Sequence, residues 1–271
     1  MNSSDLAKYY SPINITNSLA SNVVSLRQWA VTDAWNRLSR PLDRTIWPIS
    51  FVSAYTANAR QDMYRNKIMV PAGITQEPLL YPGAPSYLSY GSLGLIVGHE
   101  ITHGFDSNGR KWNNDRQVRE WWDDSSVAEF TNQTKCFVEQ YSKIQAVDHN
   151  GTPFLNVSDN KPMYVDGVLT LAENIADAGG VGNAFDAWKK HDQKAPSQTL
   201  PGLEGFTKEQ LFFVGAGQTW CNKYTAEGMA EYLTTNVHAP AFARIKGFTQ
   251  NSRDFKEAFQ CKEKKPVCEL W

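Results

Sequence analysis

The chain is 271 residues long, with 27 lysines and arginines against 28 aspartates and glutamates, 41% hydrophobic residues and a net charge of −1. That balance gives no electrostatic ground for nucleic acid or an anionic membrane as a partner, and no apolar run has the length of a signal peptide core or a membrane span. The length is enough to bury a substantial core, and no internal repeat or low-complexity tract interrupts it.

The first expected element is a helix over residues 18–38, ended by Pro41. Residues 67–70 are strand-like. Leu93, Leu95, Ile96 and Val97 then run without proline after Gly91 and Ser92, so a helix is expected to carry Gly98-His99-Glu100-Ile101-Thr102-His103-Gly104, with Ile101 and Phe105 extending its apolar face. Residues 115–145 read as an amphipathic helix with Trp121 and Trp122 as core anchors. A turn-rich loop spans 148–153. Residues 169–177 combine helix formers and apolar residues with few charges, which predicts a mostly buried helix. A second loop spans 193–205, and residues 206–235 read as one long helix or two, with Glu231 as a structural carboxylate. A strand or coil then carries His238, and residues 262–265 form a short, mixed, solvated connection.

Two of these segments carry chemistry. Helix positions four apart share a face, so His99 and His103 can grip one metal ion while Glu100 reaches toward a water bound to it. A catalytic zinc needs a third protein ligand and one open position. Glu173 is the best candidate, because a carboxylate on a buried helix requires a partner. Asp177, one turn later, can accept a hydrogen bond from the far ring nitrogen of a ligating histidine, and Asp106, three residues after His103, can do the same for the other imidazole.

The runs VGHEITHGFDSNGR (97–110) and LTLAENIADAGGV (169–181) resemble the two zinc-binding signatures of the neprilysin and endothelin-converting enzyme family, the M13 metallopeptidases. PAGI at 71–74, Trp220-Cys221, VHAP at 237–240 and the final Cys268-Glu269-Leu270-Trp271 extend the resemblance from about Pro41 to the last residue. It implies an α+β, mainly helical, thermolysin-like (gluzincin) catalytic domain over residues 41–271, with a small sheet whose edge strand lines the cleft; residues 1–40 match poorly and read as an N-terminal helical segment. It implies one Zn2+ held by His99, His103 and Glu173, with Glu100 as catalytic base. Asp177 resembles a second carboxylate described either as a proton donor or as an orienting group, and the physical argument favours orientation. His238 resembles a histidine that stabilises the tetrahedral intermediate, and Arg244 an arginine that holds a substrate backbone carbonyl.

An Asn-Ala-aromatic-aromatic strand normally binds the substrate backbone in this family. Two registers compete here: Ser53-Ala54-Tyr55, which lacks the asparagine, and Asn58-Ala59-Arg60-Gln61, which lacks both aromatics and has the better spacing to Pro71. Family members are more than twice as long, so the resemblance covers the C-terminal catalytic region only and names the N-terminal half of the same protein as a partner. The family's pairing implies a Cys136–Cys268 disulfide; Cys221 and Cys261 are left either unpaired or paired with each other. Asn2, Asn14, Asn132, Asn150 and Asn156 each open an N-x-S/T glycosylation pattern, which with the cysteines points to the secretory pathway and an extracellular or cell-surface location. The function expected is that of a hydrolase: a zinc metalloendopeptidase acting on oligopeptides through a zinc-activated water with Glu100 as general base. The alternative is a truncated, non-catalytic relative that keeps the zinc site and binds peptides or partners.

Overall fold

The computed structural model describes residues 3–41, 53–156 and 158–270. Residues 42–52, which the sequence assigns to the start of the catalytic region, lie outside them, as do Asn2 of the first glycosylation pattern and the terminal Trp271. The chain divides into two compact units, Met1–Ser53 and Ala54–Trp271.

The first unit holds α1 (Ser3–Tyr10) and α2 (Leu19–Leu38). The Ser18 side chain caps α2 by accepting from Ser21 N, so the helix starts and stops where its sequence indicates. Neither helix buries a residue fully. They are joined by polar and ring contacts instead: Tyr9 Oη donates to Asp33 Oδ2 at 3.0 Å and accepts from Arg37 Nη2 at 2.8 Å, and the Tyr9 ring meets Trp29 edge-on at 4.9 Å.

The second unit is mainly helical with a two-stranded sheet among its described residues, as the resemblance implies. β1 (Arg60–Asp62) pairs antiparallel with β2 (Lys67–Met69), Gln61 opposite Ile68. Short α3 (Ser86–Ser89) passes through a π-helical turn, Tyr90–Gly94, into α4 (Leu95–Thr102). Then come α5 (Asp124–Ser142), α6 (Leu171–Lys194), α7 (Lys208–Gln218), α8 (Ala226–Thr235), α9 (Ala241–Asn251) and α10 (Arg253–Ala258).

α6 organises the unit because it serves two cores. Near its start Ile175 joins Phe137, Tyr141 and Met229; further along, Val181, Phe185 and Trp188 join Tyr87, Leu95 and Phe212. The Cys136–Cys268 disulfide forms as implied and ties α5 to the C-terminus beside the first of these clusters. Cys221 is exposed, Cys261 half-buried, and both are free thiols rather than partners. Asn14, Asn132, Asn150 and Asn156 are all exposed.

Two expectations are corrected, the start of the 115–145 helix and the core position of Trp121. The helix expected over 115–145 begins only at Asp124, where Asp123 caps it by accepting from Ser126 N; the preceding residues form a turn through Arg116, at φ +64°, and a bridge from Trp112 to Val118. Trp121 is therefore 48% exposed and not a core anchor, its Nε1 donating to Arg110 O at 2.7 Å; Trp122 is half-buried against Phe130. The 206–235 stretch is two helices, α7 and α8. His238 lies in coil, and residues beyond it return to helix in α9 and α10.

α4 and α6 touch through their backbones. A Cβ at Gly98 would lie 2.7 Å from Gly180 O, and one at Gly180 would lie 2.8 Å from His99 N and 2.9 Å from Leu95 O. Gly182, two residues on, has no neighbour within 4 Å of its hypothetical Cβ. Gly180→Ala is expected to destabilise the unit by about 1–3 kcal/mol, through forced separation of packed elements. Gly182→Ala is expected to be neutral or to stabilise by up to about 1 kcal/mol; denaturant unfolding of the two variants checks the contrast.

Candidate metal centre

The glycine contact sets the depth at which α4 and α6 meet, and the site stands on the two facing surfaces. On α4, His99 is 5% and Glu100 6% exposed. His103 closes the helix, its N–H donating to His99 O at 3.0 Å, and the two imidazoles sit edge to face with ring centroids 4.5 Å apart. Across from them, the first turn of α6 presents Glu173. His99 Nε2 lies 3.2 Å and His103 Nε2 3.4 Å from Glu173 Oε2.

Both histidines are held from behind. His99 Nδ1 donates to Asp177 Oδ1 at 2.9 Å and His103 Nδ1 to Asp106 Oδ2 at 2.6 Å. Because an ionised carboxylate only accepts, each contact places the ring proton on Nδ1 and turns Nε2 inward as the ligating atom. Asp106 is itself fixed, its Oδ1 accepting from Asn108 N and Gly109 N at 2.7 Å each. Asp177 is fully buried and receives Arg244 through Nε at 2.8 Å and Nη2 at 2.6 Å. The Arg244 guanidinium in turn lies over the Trp220 ring, 3.5 Å from its centroid.

Charge balances along this chain of contacts. Burial would raise the Asp177 pKa, but Arg244 first and His99 second hold it at about 2. Burial opposes a charged His103, and Asp106 and Glu173 outweigh it, holding its pKa up at about 10 without a metal. The Glu173 carboxyl is held well below the usual carboxylate range, burial being overcome by His103, His238 and His99. A cation among these groups has its negative partner already ionised.

Whether the residues fit a metal is decided by Glu173 Oε2. The oxygen is buried and takes no aligned hydrogen bond, although three imidazole nitrogens surround it at 3.1–3.4 Å. Convergence of imidazole nitrogens on one buried, ionised carboxylate oxygen fits a cation, and His99, His103 and Glu173 form the one group among the described residues able to hold it. Two nitrogens and one carboxylate oxygen are a donor set of catalytic zinc.

The other expected site residues are placed as follows. Glu100 lies between the two histidines in sequence, and no described side chain pairs with its carboxylate. His238 reaches in from the coil before α9, with Nε2 3.1 Å from Glu173 Oε2. Arg244, on α9, is 6% exposed and spends two of its nitrogens on Asp177. Asn58 is exposed and Ala59 buried, and the pair leads directly into β1; Tyr55 of the other register is 86% exposed in a turn.

Two contributors escaped the sequence reading. Asn236 Oδ1 accepts from His238 N at 2.9 Å and from its ring Nδ1 at 3.0 Å; an asparagine two residues ahead of a functional histidine is the signal for that turn. Trp220 stood out only as part of the resemblance, and its stacking on Arg244 has no local sequence signature. Asp106→Asn is expected to weaken zinc binding by about 10–100-fold while the fold is retained, measured by competition with a chromophoric chelator.

Residues 58–269 match peptidase family M13. The chain is 38% identical over 252 residues to Neprilysin-1 of Caenorhabditis elegans, covering 90% of this chain and 31% of that protein. It is 39% identical over 251 residues to mouse Endothelin-converting enzyme 1, covering 90% of this chain and 30% of the relative. Among solved structures, the Mycobacterium tuberculosis zinc metalloprotease Zmp1 in complex with an inhibitor superposes with a TM-score of 0.73 at 31% identity, covering 92% of this chain and 35% of that one. The chain thus spans about a third of the length of the relatives it matches. M13 peptidases use Zn2+, the ion that the His99, His103 and Glu173 donors suit. The fold and this match over 58–269 together place the chain in peptidase family M13.

Proposed function

We propose that this chain is the catalytic portion of a zinc metalloendopeptidase that hydrolyses peptide bonds in oligopeptides. The observation that carries the reading is the buried, unbonded Glu173 oxygen amid the imidazoles of His99, His103 and His238, with the Glu100 carboxylate left without a side-chain partner among the described residues. Zinc held by His99, His103 and Glu173 supplies a Lewis acid for the scissile carbonyl and an acidified water.

Glu100 is the general base: it takes a proton from the attacking water and passes it to the leaving amine. His238 donates to the oxygen on which negative charge develops. Asn236 Oδ1 is identified as the oxygen of its amide because it accepts the His238 backbone N–H, so the ring Nδ1 must carry a proton toward it. That contact holds the ring with Nε2 facing the Glu173 carboxylate, where the substrate oxygen would lie. Asp177 orients His99 and does not donate a proton, since Arg244 keeps it ionised. Arg244 has Nη1 left for a substrate carbonyl, and Asn58 with Ala59 lines the backbone of the substrate beside β1. Cell-surface or extracellular peptides are the substrates this reading names, with the N-terminal half of the same protein as the element that limits their size.

The test is to measure zinc content and the cleavage of an internally quenched peptide with and without a chelator. Cleavage that the chelator abolishes is expected, and Glu100→Gln should lower turnover by about 10²–10⁴-fold with zinc retained. Bound zinc with no cleavage above Glu100→Gln would reject the peptidase reading for this chain in favour of a peptide-binding one. His238→Ala should lower kcat by about 10²–10³-fold with little change in zinc affinity.

A further inference from the structure

The hairpin β1–β2 and the side of α4 away from the metal ligands enclose a pocket of about 480 Å³ that the peptidase reading leaves unused. Ile68, Ile101, Phe105, Trp112 and Trp121 form its apolar walls, with Gln61 among them. Gln61 and Ile68 are directly opposed across the hairpin, so both side chains present on one face. Ile101 lies two residues after His99, which on a helix turns it far from the ligand face; it and Phe105 are each 46% exposed. The volume is that of a small-ligand site, roughly 300–1,000 Å³.

The walls are set in advance. Trp112 is held edge-on against Tyr64 with centroids 4.8 Å apart, and Trp121 is fixed by its Nε1 bond to Arg110 O at 2.7 Å. That bond also removes the Trp121 N–H as a donor for anything in the pocket. Gln61 Oε1 meanwhile is buried and takes no hydrogen bond. A buried oxygen without a donor is unfavourable, and a ligand that supplies one relieves it. At the mouth stand the exposed Asn66 and Asn114, whose amides can bond to a peptide backbone.

We propose that this pocket binds an aromatic side chain of a peptide that carries a hydrogen-bond donor, tryptophan or tyrosine, with its N–H or O–H donated to Gln61 Oε1 and its ring against Phe105, Trp112 and Trp121. Phenylalanine fills the same walls but leaves the oxygen unpaired, so the site discriminates by the donor. The proposal does not depend on the metal centre.

The test uses the whole chain kept metal-free with a chelator and titrated with N-acetyl-tryptophanamide, N-acetyl-tyrosinamide and N-acetyl-phenylalaninamide, followed by NMR. The first two are expected to bind at least about fivefold more tightly than the third. Gln61→Leu should erase that preference, Gln61→Glu, which keeps an acceptor, should retain it, and Phe105→Ala at its exposed position should weaken all three. Equal affinity for the phenylalanine amide in the wild type, a preference that survives Gln61→Leu, or no binding in the millimolar range overturns the proposal. Metal-free conditions separate any of these failures from a failure of the peptidase reading.

Discussion

The direct backbone contact of α4 with α6 at Gly98 and Gly180 is the constraint on which the site depends. Helices usually keep their axes 8–10 Å apart because side chains fill the space between them. Here each glycine faces the other helix's main chain, and nearby Gly179 would place a Cβ 2.6 Å from the Thr102 side chain. Short distance fixes register: once Gly98 meets Gly180, Glu173 and Asp177 fall beside His99 on the same side of the contact. A helix pair spaced by ordinary side chains would leave the Glu173 carboxylate out of reach of both Nε2 atoms. Function here rests on an absence of side chains at Gly98, next to His99, and at Gly180, about two turns after Glu173.

That packing brings a cost that the neighbouring charges offset. Asp177 is taken out of water entirely, and an isolated carboxylate there would be unstable by several kcal/mol. Arg244 compensates with a two-bond fork, and Trp220 covers the guanidinium, which is less strongly hydrated than an ammonium and tolerates an aromatic face. Lysine could not supply the fork, so the identity of Arg244 follows from the burial of Asp177. On the other histidine, backbone N–H groups of Asn108 and Gly109 do the same work for Asp106. The two imidazoles are thus fixed by different means, a side-chain ion pair on one and a turn on the other.

Local spacing made the ligands legible in the sequence. His99, Glu100 and His103 follow helical periodicity, Asp106 is one turn away in the chain, and Glu173 and Asp177 share a second helix, so each relationship spans only a few residues. What the sequence hid depends on distant partners. Trp121 looked like a core residue because its neighbours alternate helically, yet Asp123 caps the helix after it and leaves the indole outside. Arg244 read as a carbonyl holder, and its pairing with Asp177, 67 residues earlier, has no local mark. The free state of Cys221 and Cys261 is likewise a matter of tertiary placement.

The central claim is that this contact delivers two imidazoles and one carboxylate to a single zinc ion. Zinc-edge X-ray absorption on the zinc-loaded chain measures that shell directly. The account predicts nitrogen and oxygen neighbours only, at about 2.0–2.2 Å, with the imidazole scattering of two histidines and a loss of ordered zinc in Glu173→Ala. Sulfur scattering at about 2.3 Å, or a shell unchanged by Glu173→Ala, would contradict it.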